Sequence, residues 1–263
     1  KNLLTKNIKL FYNNKQTNLK GKFMSGHSKF NNIKHTKEKM DAQRGKVFTK
    51  IGKEIAVAVK MGGSDPNSNP KLYNLIVKAR NNNMPNDNIQ RSIKKAAGEL
   101  GGGNYEEITY EGYGVGGSAV IVNVLTDNKN RAAGDVRHIF DKFGGSLGQT
   151  GCVSFMFERK GVFVIEKDNK ISEDQLFEWA IEAEADDVVN DGDVFEVYSS
   201  PDKFGQVQEN LQSKGVKFLS SNIELVPNGY IDLDEKQCES FEKMIDALED
   251  NDDVQDVYHN VNL

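Results

Sequence analysis

Residues 161–226, GVFVIEKDNKISEDQLFEWAIEAEADDVVNDGDVFEVYSSPDKFGQVQENLQSKGVKFLSSNIELV, decide how the chain folds. Val162 to Ile165 is an apolar run of strand length. Ser172 to Ala183 carries apolar residues at helical spacing and opens with Ser172 three residues before Gln175, the pattern of a capping box. Two short strands follow, around Asp187–Val189 and Val194–Tyr198. A helix from Asp202 to Lys214 and a strand near Val216–Leu225 complete the segment. The order βαββαβ is a whole ferredoxin-like unit that needs no strand from elsewhere.

The flanking segments do not have that self-sufficiency. Upstream, Tyr105 to Tyr113 and Ser118 to Leu125 read as strands, the second an almost continuous apolar run (AVIVNVL). Asn130 to Phe143 reads as a helix with Val136, Ile139 and Phe140 inward, closed by Gly144-Gly145, and Cys152 to Phe157 as a further strand. Downstream come a helix from Glu235 to Leu248 and a strand from Val254 to Tyr258. These strands lack partners unless they pair with each other across the inserted unit, and short local connections favour that arrangement. The predicted fold class is therefore α+β multidomain: an N-terminal helical domain, residues 24–103, followed by two ferredoxin-like α+β domains, one inserted in the other. The outer domain is discontinuous, 104–159 plus 228–263, and the inserted domain is 160–227. Residues 1–23 precede Met24 and hold six lysines and no acid. We read them as a basic extension from upstream of the true start. A basic arm and an organellar presequence are the alternatives.

Charge divides the chain sharply. The formal net charge is −5. From Lys1 to Leu100, 21 Lys and Arg face 6 Asp and Glu, a net of +15, whereas from Gly101 to Leu263 13 face 33, a net of −20. Such asymmetry points to a polyanion-binding region joined to a body that would not bind nucleic acid unaided. After Met24 a long basic stretch is Ser25 to Lys60, SGHSKFNNIKHTKEKMDAQRGKVFTKIGKEIAVAVK, where only Glu38, Asp41 and Glu54 oppose the cations. Asn31 to Arg44 is helix-compatible but weakly apolar. In Lys46 to Met61, at roughly 100° per residue, Lys46, Lys50, Lys53 and Lys60 form one stripe, with Val47, Phe48, Ile51, Ile55, Ala58 and Val59 opposite. That helix is expected to pack on one side and present ammonium groups on the other. Asn69-Pro70 then reads as an N-cap and first helical residue, ahead of Leu72, Leu75, Ile76 and Ala79. A short helix from Pro85 to Ala97, with Ile89 and Ile93 inside and Gly98 as its cap, ends the domain. No helix-turn-helix spacing that would fix a recognition helix stands out.

Nothing in the sequence calls for catalysis. Gly112-Tyr113-Gly114-Val115-Gly116-Gly117 has the letters of a dinucleotide fingerprint, but a strand follows it, so the glycines are expected to make a turn between strands. His27, His35, His138 and His259 form no metal-ligand spacing. Cys152 and Cys238 suggest neither a disulfide framework nor a metal site. The acidic runs of the second half lack the spacing of a calcium loop and read as solvated surface. We expect no catalytic residues, no cofactor and no metal. No apolar run is long enough to span a bilayer.

The runs GHSKFNNIKHTKEKMDAQRGKVFTKIGKEI, NPKLYNLIVKARNNNMPNDNIQRSIKKAAGE, YEEITYEGYGVGG and LTDNKNRAAGDVRHIFDKFGGSLGQTGCVSFMFERKG resemble the YebC/PmpR family from Met24 nearly to the end. The resemblance implies a helical first domain followed by two α+β domains, one inserted in the other. It also implies a cytoplasmic, DNA-binding transcriptional regulator; some relatives act instead on translation, one of them in mitochondria, and some are implicated in relieving ribosomes stalled at proline-rich sequence. It places nucleic-acid contacts on the helical domain at His27, Lys29, Lys34, His35, Lys37, Arg44, Lys46 and Lys50, to which the lysine stripe adds Lys53 and Lys60. Phe30 and Thr36 depart from the family's commoner tryptophan and basic residue. The expected partner is DNA, or rRNA and tRNA on the ribosome, bound by a monomer, with no membrane and no small-molecule substrate. The expected location is the cytoplasm, or an organelle if residues 1–23 are a presequence.

Overall fold

The structure, a computed structural model, describes residues 27–98, 104–167 and 171–263, and for 27–44 it describes the helix backbone alone. The basic extension 1–23 lies outside the described residues.

Three helices come first: α1 (His27–Gly62), α2 (Pro70–Asn81) and α3 (Asn86–Ala96). What the sequence suggests as two helical stretches on either side of Gly45 is one helix of 36 residues. Ile51, Ile55, Ala58 and Val59 of α1 bury themselves against Leu72, Leu75, Ile76 and Ala79 of α2, Met84, and Ile89 and Ile93 of α3. The α1–α2 corner is tied by Asn69, a buried residue. Its carboxamide oxygen accepts from Leu72 N (3.1 Å), capping α2, while its Nδ2 donates to the carbonyls of Ala58 (2.8 Å) and Gly63 (2.9 Å) at the end of α1. One side chain thus satisfies terminal groups of both helices.

The remaining elements are β1 (Glu106–Tyr113), β2 (Ala119–Thr126), α4 (Lys129–Lys142), β3 (Ser146–Leu147), β4 (Phe157–Glu166), α5 (Glu173–Glu182), β5 (Asp187–Asp191), β6 (Val194–Ser199), α6 (Phe204–Ser213), β7 (Phe218–Pro227), α7 (Glu235–Glu249) and β8 (Val254–His259). They make two antiparallel sheets of four strands each, ordered β3-β1-β2-β8 and β5-β6-β4-β7. The second has the ferredoxin-like order and takes all its strands from 157–227. The first takes its strands from both sides of that segment. It opens on a hairpin, β1-β2, so it shares the layered α+β build while differing in connectivity.

Each sheet buries one face under two helices. Val120, Val122 and Val124 of β2 meet Val136 and Phe140 of α4 and Phe241, Met244 and Leu248 of α7. Phe163 and Ile165 of β4, with Phe195 and Val197 of β6, meet Leu176 of α5 and Val207 and Leu211 of α6. On the opposite face of β2, Ala119 and Ile121 lie under Val153 and Phe157, with Leu225 and Tyr258 alongside. A strand covered on both faces reads as continuously apolar rather than alternating, which is the character of AVIVNVL. The β1–β2 turn places Gly116 (φ 69°) and Gly117 (φ 77°) in the left-handed region, as a turn between strands requires.

One strand expectation is corrected. Cys152 to Phe157 is not a strand: Ser154–Met156 is a turn of 3-10 helix, and β4 begins only at Phe157. The cause is Glu111 in β1. Its buried carboxylate accepts N–H bonds from Gly151 (2.8 Å), Val153 (3.0 Å) and Ser154 (2.8 Å), curling the segment around itself and spending donors that a strand would give to a neighbour. Burial by itself would raise the Glu111 pKa. The backbone bonds from Val153, Gly151 and Ser154 outweigh it and hold the carboxyl below its ordinary value. From Phe157, β4 runs unbroken to Glu166, passing Gly161. A Cβ there would sit 2.4 Å from Ser199 Oγ and 2.7 Å from the Phe204 ring, so only glycine lets the ring close over the strand.

Candidate nucleic-acid interface

The lysine stripe of α1 is where the sequence places the interface, and its spacing does bring three ammonium groups together. Lys46, Lys50 and Lys53 lie at i, i+4 and i+7. They face the C-terminal end of α7 and the acidic turn after it. Lys46 Nζ donates to the Asp250 carbonyl (3.0 Å) and pairs with its carboxylate (3.3 Å). Lys50 Nζ donates to the Glu249 carbonyl (2.8 Å), and Lys53 Nζ to the Asp252 carbonyl (2.8 Å) and the Asp253 carboxylate. The last carbonyls of a helix have no partner within it and lie at the negative end of its dipole, so ammonium groups suit them doubly.

Asp253 anchors this contact. It is buried, and its second oxygen accepts from Thr126 Oγ1 (2.9 Å) and Arg131 (2.7 Å). Burial would raise its pKa. Hydrogen bonds from Lys53, Arg131 and Thr126 prevail and keep the carboxyl ionised below its ordinary range. Lys50 goes the other way: burial pulls its pKa down, against the raising influence of Glu249, Asp256 and Asp252.

The expectation that this stripe is presented outward is therefore corrected for Lys46, Lys50 and Lys53, whose ammonium groups are taken up by the protein's own carbonyls and carboxylates. Lys60 is exposed and donates to Asn104 Oδ1 (2.6 Å). His27, Lys29, Lys34, His35, Lys37 and Arg44 all lie along the first half of α1, on the same continuous helix. Their side chains are outside the described residues.

A second basic face was missed. Arg91, Lys94 and Lys95 of α3 are exposed, opposite the buried Ile89 and Ile93, and make no hydrogen bond or ion pair among the described residues. Arg80, in the last turn of α2, is also exposed and also unpaired among them. The signal was present in Ile89-Gln90-Arg91-Ser92-Ile93-Lys94-Lys95: two isoleucines four apart, with cations between and beyond. Only Asp87 opposes the cations on this helix. Four residues, 82–85, join α2 to α3, with Asn83 in the left-handed region (φ 57°). That is the connection length of a helix-turn-helix, which the sequence reading had not found.

Among the described residues no group of three or more His, Cys, Asp or Glu is placed to hold a metal ion. Burial pushes the Cys152 and Cys238 thiols up from their ordinary value. A cleft of about 370 Å³ runs between α1, α2 and the β1–β2–β8 face, lined by Glu54, Lys71, Lys78, Glu107 and Asp256 together with the apolar Val57, Leu75, Ile108, Val124 and Leu125, a mixture of signs and apolar surface unlike a groove that tracks a polyanion. No described helix is long and apolar enough to cross a membrane.

Three helices with two basic faces, ahead of two helix-backed antiparallel sheets, define a multidomain α+β protein with a basic N-terminal module. The chain belongs to the TACO1/YebC family. Residues 28–99 match the model of the TACO1/YebC N-terminal domain, and residues 105–261 that of the second and third domain. It is 57% identical over 237 residues to a "Probable transcriptional regulatory protein ORF2U" of Hathewaya histolytica, covering 90% of this chain and 96% of that one. A "Probable transcriptional regulatory protein" of Acetivibrio thermocellus is 56% identical over 238 residues, covering 90% and 98%. The crystal structure of a conserved hypothetical protein, Aq1575, of Aquifex aeolicus superposes with a TM-score of 0.76 at 45% identity, covering 86% of this chain and 93% of that one.

Proposed function

We propose that this protein is a non-enzymatic, cytoplasmic regulator of gene expression that binds DNA through its basic helical domain. The observation that carries the reading is the pairing of a +15 first hundred residues with an α3 face whose Arg91, Lys94 and Lys95 find no partner among the described residues. Cations left without internal partners are the footprint of a polyanion site, and phosphate contacts supply the affinity. The short α2–α3 connection and the exposed Gln90 and Arg91, side chains able to hydrogen-bond base edges, favour duplex DNA. The names carried by the relatives support transcription.

Phosphate contacts alone do not separate DNA from RNA. The same cations suit rRNA or tRNA, so the second reading is a ribosome-associated translation factor that assists difficult, proline-rich sequences. Comparing ribosome occupancy with transcript levels in a strain lacking the protein separates the two. Transcript changes matched by promoter occupancy are expected. Pausing at particular codons without transcript changes would replace this reading with the translational one.

A further inference from the structure

The three lysines of α1 that the protein's own body occupies have a consequence for binding. We propose that residues 249–253, the end of α7 and its acidic turn, stand in for nucleic-acid phosphates on α1. Binding of a polymer to Lys46, Lys50 and Lys53 and docking of the helical domain on the body are then mutually exclusive. This inference rests on the nucleic-acid reading of the helical domain.

Two independent features support it. The first is chemical equivalence. The body offers Lys46, Lys50 and Lys53 the carbonyls of Glu249 and Asp250 at a helix's negative end, the Asp252 carbonyl in the turn beyond it, and the carboxylates of Asp250 and Asp253, all oxygen acceptors of the kind a phosphate supplies with a full charge. The second is separability. The apolar cluster of the helical domain consists only of residues from 47 to 96, so that domain closes its core without the body. The ties between the two are polar, the lysine contacts and the Lys71–Glu107 pair (3.9 Å), while the cleft beside them is lined by charged side chains and by the apolar Val57, Leu75, Ile108, Val124 and Leu125, which form no shared core. Polar junctions of this kind permit domain motion, whereas a shared apolar core would not. The contact is graded as well. Lys53 and Asp253 have side chains only 11% and 8% exposed, against 40% and 52% for Lys46 and Asp250, so a polymer has a solvated edge from which to begin displacement.

Zero-length carbodiimide cross-linking of the full chain reads the contact directly, because it joins an ammonium to a carboxylate already paired with it. Lys53–Asp253 and Lys46–Asp250 products are expected without polymer. They should fall several-fold on saturation with an unphosphorylated 20-base-pair DNA duplex, while Lys78–Glu54, inside the helical domain (2.9 Å), and Lys243–Glu239, inside α7 (2.6 Å), stay constant. Full yields at saturation would overturn the inference. In parallel, Asp250→Asn with Asp252→Asn should bind the duplex about threefold tighter than Glu235→Gln with Glu242→Gln, which removes the same charge from α7 itself rather than from the turn after it. Equal affinities would also overturn it. If neither the wild type nor the Asp250/Asp252 variant binds the duplex or an RNA of the same sequence, the nucleic-acid reading itself fails. Binding by the Asp250/Asp252 variant alone upholds both.

Discussion

Two basic faces of the helical domain, alike in sequence, have opposite fates. Lys46, Lys50 and Lys53 on α1 and Arg91, Lys94 and Lys95 on α3 each back onto buried isoleucines, and each would be classed as a solvated cationic stripe. The first is met by the carbonyls of Glu249, Asp250 and Asp252 and by the carboxylates of Asp250 and Asp253, and the second by none of the described residues. Charge periodicity shows which face of a helix avoids the core. It does not show what has come to that face from elsewhere in the chain, because the acceptors here are mostly backbone oxygens some 200 residues away, which no side-chain pattern announces.

If the α1 face is structural as well as basic, its anchor is the place to break it. Replacing Asp253 with Ala leaves Lys53, 11% exposed, facing no carboxylate, and removes a partner of Arg131 and Thr126. We expect a loss of about 3 kcal/mol of stability, measured by urea unfolding, since an uncompensated buried charge is costly. A loss below about 0.5 kcal/mol would put this face on a par with α3. The pH dependence has a definite sign. The folded pKa of Asp253 is depressed, so its contribution is in place above the ordinary value of 3.8 and is lost as pH falls through the folded value. Asp253→Asn should flatten that part of the acid limb.

Much of the fold was legible in the residues. The Ser172–Gln175 capping box, the α1–α2–α3 core and the βαββαβ order are written in local spacing, where three or four residues suffice to decide. The misreadings share a physical cause. Cys152–Phe157 has strand composition, but a carboxylate 40 residues upstream takes its N–H groups. Ser146–Leu147 is too short to show a period and is a strand only because Gly112 and Tyr113 lie beside it. Of the candidate interface, the sequence revealed which residues are cationic. It overlooked α3, where only three cations sit on a helix of 11 residues, beside the nine of the 36-residue α1.

The α3 face is tested through binding. Arg91→Gln, Lys94→Gln and Lys95→Gln together should weaken association with a DNA duplex by about tenfold. They should also lower the dependence of log affinity on log salt by about three, one for each phosphate contact removed. Stability should change by less than about 0.5 kcal/mol, because these side chains have no described partner to lose. Wild-type affinity in this variant would remove α3 from the interface and leave the first half of α1 as the remaining candidate surface.

The smallest effect is the most discriminating. Lys46 and Lys94 are both solvent-reached lysines of the same domain, so either change to Gln should shift stability by less than about 0.5 kcal/mol; the Lys46–Asp250 pair is an exposed one, 40% and 52%. Their salt dependences should nevertheless differ. Lys94 has no partner to release among the described residues, so its loss should lower the slope by about one. Lys46 must first leave the Asp250 carbonyl and carboxylate before it meets a phosphate, so Lys46→Gln removes a contact from both the closed and the bound states. The two losses oppose each other, and the slope should fall by clearly less than in Lys94→Gln. Parallel salt titrations of the two single variants measure that difference. Equal slopes would mean that the α1 stripe is as available to polymer as the α3 stripe, erasing the distinction between them.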